Sequence, residues 1–147
     1  MVPRFSLQNV LDIRHNQVEA VEIELSNLLA RQLELESRLT SLQGVKARLL
    51  EALAAAMTGE IDLHAIHLQQ NDLNLIAGYI ETTEGELREM VWRVNEKRQE
   101  LVQAKQSEEM LQVLKRKRNE QYNAEQAQIE SRALDDLYIA RGFKQRR

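Results

Sequence analysis

Apolar residues recur at alternating steps of four and three along the first part of the chain. They are Leu7, Leu11, Val18, Val21, Leu25, Leu28, Leu35, Leu39, Leu42, Leu49, Leu53 and Ala56, interrupted where Arg14, Gln32 and Lys46 hold the same register. A period of 3.5 gives a helix a narrow apolar seam that has to be buried against another helix. A second seam supplies the partner: Ile66, Leu73, Ile80, Leu87, Val94 and Leu101 recur every seven residues, with Ile76, Met90 and Ala104 at the complementary positions. Between the seams lies Met57-Thr58-Gly59-Glu60-Ile61-Asp62. Gly59 suits the left-handed backbone that ends a helix, and Asp62 suits the cap that starts the next. Ser6 offers the same cap to the first helix, with Phe5 and Ile61 placed to staple onto Val10 and Ile66. So short a connection makes the helices antiparallel neighbours, and the only proline, Pro3, precedes both. The pattern predicts an all-α fold, a long antiparallel two-helix coiled-coil hairpin forming a single domain over residues 1–147. Helix one spans about 6–57, the turn about 58–62 and the longer helix two about 63–140, followed by a short basic tail at 141–147.

Folding the chain about residue 60 sets Phe5 near Lys115, so everything beyond Lys115 lacks an intrachain partner. At a rise of ~1.5 Å per residue the paired part is about 75 Å long and the surplus helix another ~40 Å. Charge changes at the same place. Residues 1–114 carry 11 basic and 18 acidic side chains, whereas residues 115–147 carry 9 basic and 5 acidic, a basic prong on an acidic body.

Composition narrows the function. Only 4% of residues are aromatic and there is no cysteine, which excludes thiolate metal sites and disulfides and fits a reducing compartment. The apolar runs are too short to span a bilayer or to form a secretion signal, so no direct membrane insertion is expected. No Gly-rich phosphate loop, nucleophile elbow or enclosed carboxylate pair is present, so neither catalysis nor a cofactor is expected. His64 and His67 lie one turn apart beside Glu60 and Asp62. Without a third ligand motif they read as solvated, as does His15, and no metal is expected.

Two groups of local matches resemble the FliJ family of flagellar type III export proteins. One is the opening Phe5-Ser6-Leu7-Gln8-Asn9-Val10-Leu11-Asp12-Ile13-Arg14. The other comprises Leu114-Lys115-Arg116-Lys117-Arg118, Tyr122, Glu125, Glu130 and Leu134-Asp135-Asp136-Leu137. Order, spacing and length agree together over almost the whole chain. The chain departs from the family at Glu130-Ser131-Arg132, where members usually carry glutamate-glutamine-lysine. The resemblance implies a coiled coil similar to the central stalk of rotary ATPases. Such a stalk inserts into the ring of the flagellar export ATPase, contacts the membrane export gate and binds export chaperones. It implies a cytoplasmic protein peripherally associated with the export apparatus, monomeric or weakly self-associating. The stalk of a virulence secretion system and a self-associating coiled-coil scaffold are the alternatives.

Candidate contact residues follow from combining the two readings. The expected ATPase-ring surface is the proximal end: Phe5, Leu7, Leu11, Arg14, Lys115, Arg116, Lys117, Arg118, Tyr122, Leu134, Asp135, Asp136 and Leu137. For the cation run Lys115-Arg116-Lys117-Arg118, a solvated face, an acidic protein partner, and nucleic acid or anionic lipid are the open readings. No aromatic is interleaved for base stacking, and no nucleic acid partner is expected. The family places the export-gate contact in the distal half. There Val45, Leu75 and Tyr79, off the seams and flanking Leu42, Leu49 and Ile76, either form a small exposed apolar patch or merely broaden the core. Trp92 falls on the outward face, either lying over aliphatic stems or anchoring a partner. Ile13 and Ile23 are also off the seam.

Overall fold

The computed structural model describes residues 4–145. Two helices account for nearly all of them: α1, Gln8–Ala56, and α2, Leu63–Gln145, pair as an antiparallel hairpin in which α2 is much the longer. The reversal is built as its sequence dictates. Gly59 takes a φ of 80°, the only positive φ among the described residues. Asp62 Oδ1 then accepts hydrogen bonds from the amides of His64 at 3.0 Å and Ala65 at 3.4 Å, capping α2. Thr58 turns its hydroxyl back onto the Ala55 carbonyl at 2.8 Å, satisfying one of the acceptors freed where α1 ends. Ile61 stays exposed, so the expected staple onto Ile66 is not closed.

At the other end α1 begins at Gln8 and not at Ser6. Ser6 does not cap the helix; its hydroxyl accepts a hydrogen bond from Arg118 at 2.9 Å. Phe5 is buried beneath the same guanidinium, 6.0 Å from the ring centroid, while Val10 remains partly exposed. α2 runs on to Gln145, past the predicted end near 140. Nothing in Arg141-Gly142-Phe143-Lys144 breaks a helix outright, and Lys144 sits favourably against the negative end of the helix dipole.

The described residues form two units. In the unit Ala20–Leu101, Leu35, Ile66 and Val94 are buried, with Val21, Leu25, Leu28, Leu39, Leu42, Leu49, Leu53 and Ala56 half-buried on α1. Seam burial on α2 follows the predicted steps but takes in polar side chains as well: Gln69, Thr83 and Lys97 extend the Ile76–Met90 line. Lys97 donates to Glu24 across the helix pair at 2.6 Å and to Glu100 at 2.8 Å, and these bonds, Glu100 first, hold its pKa above the usual lysine value. Arg38 faces Glu86 at 3.9 Å in the same unit. Gln32 and Gln69 each bury a side-chain carbonyl oxygen that has no hydrogen-bond partner, a cost that leucine would not incur. Lys46 is exposed although it keeps the seam register. Val45, on the line joining Leu42 and Leu49, is half-buried in its place.

The other unit comprises residues 4–19 and 102–145. Phe5, Leu11 and Val18 are its buried residues on the α1 side, and Leu111, Lys115 and Tyr122 are half-buried along α2. From 123 to 141 every side chain is exposed.

Leu35, 1% exposed, and Leu33, 67% exposed, give an internal comparison on one helix. Leu35→Ala is expected to cost ~2–5 kcal/mol through lost burial and the cavity left behind, and Leu33→Ala less than ~0.5 kcal/mol. Urea melts followed by circular dichroism will check this; equal midpoints for the two variants would show that the seam does not carry the stability.

Candidate docking surfaces

The proximal residues singled out in the sequence divide into those that hold the helix pair together and those that face outward. Phe5 and Leu11 are buried and Lys115 and Tyr122 are half-buried. Leu7 is at the margin, partly exposed, and Arg14 is exposed with its guanidinium on Gln17 Oε1 at 3.3 Å. Leu134, Asp135, Asp136 and Leu137 are exposed.

The four-cation run divides in the same way. Sequence gives its members equal standing, but a helix sends adjacent residues about 100° apart, so they cannot share a role. Arg118 covers Phe5 and donates to Ser6, fixing the start of α1. Lys115 lies half-buried on the seam line that runs every seven residues through Leu101 and Glu108 to Tyr122. Arg116 and Lys117 are exposed, with no hydrogen bond or ion pair to another side chain.

Residues 123–145 carry the largest uncovered apolar content of the unit. Ile129, Leu134, Leu137, Tyr138, Ile139 and Phe143 are all exposed, Tyr138 to 81%. At successive steps of five, three, one, one and four, they spread around much of the helix circumference. Asp135, Asp136, Arg141 and Lys144 stand among them. Shallow grooves on these turns are lined by Leu134, Leu137, Tyr138 and Arg141, and by Asp136, Ile139, Phe143 and Lys144.

In the unit Ala20–Leu101 the six distal candidates also separate. Leu42, Val45, Leu49 and Ile76 are half-buried, so Val45 broadens the core. Leu75 and Tyr79 are exposed. Trp92 is 63% exposed on the outer face of α2, as its register predicts, one residue beyond a shallow groove lined by Glu84, Leu87, Arg88 and Val91. Ile13 and Ile23 are exposed.

One feature escaped the reading of apolar periodicity. His15, read as solvated, stands between two carboxylates, Nδ1 at 2.8 Å from Glu108 Oε1 on α2 and Nε2 at 3.0 Å from Glu19 Oε1 one turn along α1. Hydrogen bonding to Glu108 is the main cause of a histidine pKa above the ordinary 6.5. The available signal was Glu108 itself, a charged residue on the line of Val94 and Leu101.

Among the described residues no group of three or more histidine, cysteine, aspartate or glutamate side chains is placed to hold a metal ion. No helix among them is long and apolar enough to cross a membrane.

Arg118→Gln is expected to release the start of α1. Amides of residues 8–11 should exchange roughly fivefold faster, the equivalent of ~1 kcal/mol for one hydrogen bond, while those of the unit Ala20–Leu101 hold their rates. Unchanged exchange at 8–11 would show that the contact with Ser6 and Phe5 does not fix this end.

Comparison with curated proteins and with solved structures returned no significant match. The model of the family described as Flagellar FliJ protein matches residues 3–147, covering both end motifs and both helices. The chain belongs to the FliJ family and has a role associated with flagellar protein export.

Proposed function

We propose that this protein is the coiled-coil stalk of a flagellar export apparatus. In this reading its proximal surface docks in the export ATPase ring, its distal surface contacts the membrane export gate, and it escorts export chaperones. The observation that carries the first of these is the bare stretch of α2: residues 123–141 have no cover within the chain yet include Ile129, Leu134, Leu137, Tyr138 and Ile139. A helix surface this apolar marks a site that another molecule covers. Just ahead of it, Arg116 and Lys117 point free positive charge into solvent. Free cations beside an apolar surface are the arrangement that draws in an acidic partner and then holds it, charge setting the encounter rate and apolar contact the residence time. Leu7 and Arg14 extend the same surface on α1, with Asp135 and Asp136 supplying polar contacts on α2.

Phe5, Leu11 and Arg118 support this surface from within, Phe5 and Leu11 by burial and Arg118 through its contacts with Ser6 and Phe5, with Lys115 half-buried on the seam line. For the gate, Leu75 and Tyr79 are the exposed members, and Leu42, Val45, Leu49 and Ile76 form the half-buried floor beside them. Chaperone escort rests on the family alone.

Replacing the whole cation run would confuse docking with folding, so the informative variant is Arg116→Gln with Lys117→Gln. Stimulation of the flagellar export ATPase should fall severalfold at low salt, and its decline between low and physiological salt should flatten, with helicity and melting unchanged. Parent-like stimulation by the double variant at both salt concentrations would show that these cations are only a solvated face.

A further inference from the structure

Two polar fastenings between residues 4–19 and α2, at Arg118 and at His15, differ in kind. At Arg118 the charge is permanent, since a guanidinium does not deprotonate in a protein. At His15 the geometry itself selects a protonation state. Both ring nitrogens lie within hydrogen-bond distance of carboxylate oxygens, Glu108 at 2.8 Å and Glu19 at 3.0 Å. A neutral imidazole has one N–H and serves only one of them; the imidazolium has two and serves both.

We propose that His15 is a proton-operated latch: its imidazolium ties the first turns of α1 to α2 by bridging Glu19 and Glu108, and loss of the proton loosens them. Glu108 makes the latch matter. It sits on the seam line of α2 with its side chain only 13% exposed, and it also accepts a hydrogen bond from Gln112 at 3.1 Å on its own helix. When His15 becomes neutral, this half-buried carboxylate loses the cation that faces it across the pair. Around the ring stand Asp12 and Glu19 on α1 and Glu108 on α2, with Lys105 and Glu109 neighbouring Glu108 along the helix. Asp12 accepts from Gln8 at 2.9 Å. Glu108 and Glu19 are the charges that act on the ring, and both favour its protonated form.

The sign follows from linkage. A histidine pKa raised in the folded state contributes stability that is fully present below the unfolded value of 6.5 and is lost as the pH rises through the folded value. The latch is therefore closed in mildly acidic solution and opens as the pH rises above the raised pKa. Its effect is confined to residues 8–19, because His64 and His67, the histidines beside Ile66, have no side-chain hydrogen bond or ion pair among the described residues.

Amide hydrogen exchange of the full chain at pH 6 and pH 8, corrected for intrinsic rates, tests this. Protection of residues 8–19 should be about twofold higher at pH 6, the size expected of a solvent-exposed ion pair, and protection in Ala20–Leu101 should not depend on pH. In His15→Gln the pH dependence at 8–19 should vanish. In Glu108→Gln the His15 titration midpoint, read from its ring protons by NMR, should fall towards 6.5. Equal protection at both pH values in the parent, a pH dependence that survives in His15→Gln, or a midpoint unmoved in Glu108→Gln would each overturn the latch.

Discussion

Burial of a seam two residues wide in every seven is the constraint on which everything else in this protein rests. Neither helix has a second apolar face, so each becomes stable only against the other, and each turn of pairing contributes little. The fully buried residues are few and spread from Phe5 to Val94. Stability is therefore distributed thinly along the pair instead of being concentrated in a core. In such a molecule single polar contacts across the pair have unusual leverage. Lys97 between Glu24 and Glu100, Arg118 on Ser6 and His15 on Glu108 each decide how well a particular stretch holds. These contacts also fix the register, since a slip by one turn would separate every one of them.

Features that depend on local chemistry were legible in the sequence. The turn could be placed because Gly59 and Asp62 act on their own backbone, and the structure shows the positive φ and the cap. The paired helices could be placed because leucine spacing alone sets the seam. What escaped were features that need a distant residue. Ser6 has the chemistry of a cap, but its hydroxyl accepts from Arg118, far along the chain, and α1 starts at Gln8. Reading apolar positions only, the seam of α2 seemed to fade after Ala104. Burial continues through Glu108, Leu111, Lys115 and Tyr122, because charged side chains can lie along a seam with their aliphatic parts inside.

The proposed docking surface was legible in outline and not in detail for the same reason. The surplus of helix two followed from counting residues on each side of the turn, but it starts later than Lys115: Arg118 still reaches Ser6 and Phe5, Tyr122 is half-buried, and unbroken exposure begins at residue 123. Four adjacent cations looked interchangeable because a one-dimensional string has no faces. Once wound on a helix beside a partner they separate: Arg118 donates to Ser6 and covers Phe5, Lys115 is half-buried, and Arg116 and Lys117 stand exposed.

Exposed apolar residues on residues 123–145 raise a question that the seam itself answers. A helix with Leu134, Leu137, Tyr138, Ile139 and Phe143 in water gains nothing from tertiary packing, so its helicity within the isolated chain draws on propensity, and alanine, glutamine, glutamate and arginine supply it. The paired turns behind it supply the costly nucleus, and the bare stretch needs only to propagate from them. A partner that covers this stretch therefore meets a preformed helix and forgoes most of the ordering cost that a disordered segment would impose. On that argument the pairing at the proximal end and the readiness of the bare helix are one property: whatever loosens α1 from α2 near Leu11 and Val18 also weakens the template from which the docking helix is propagated.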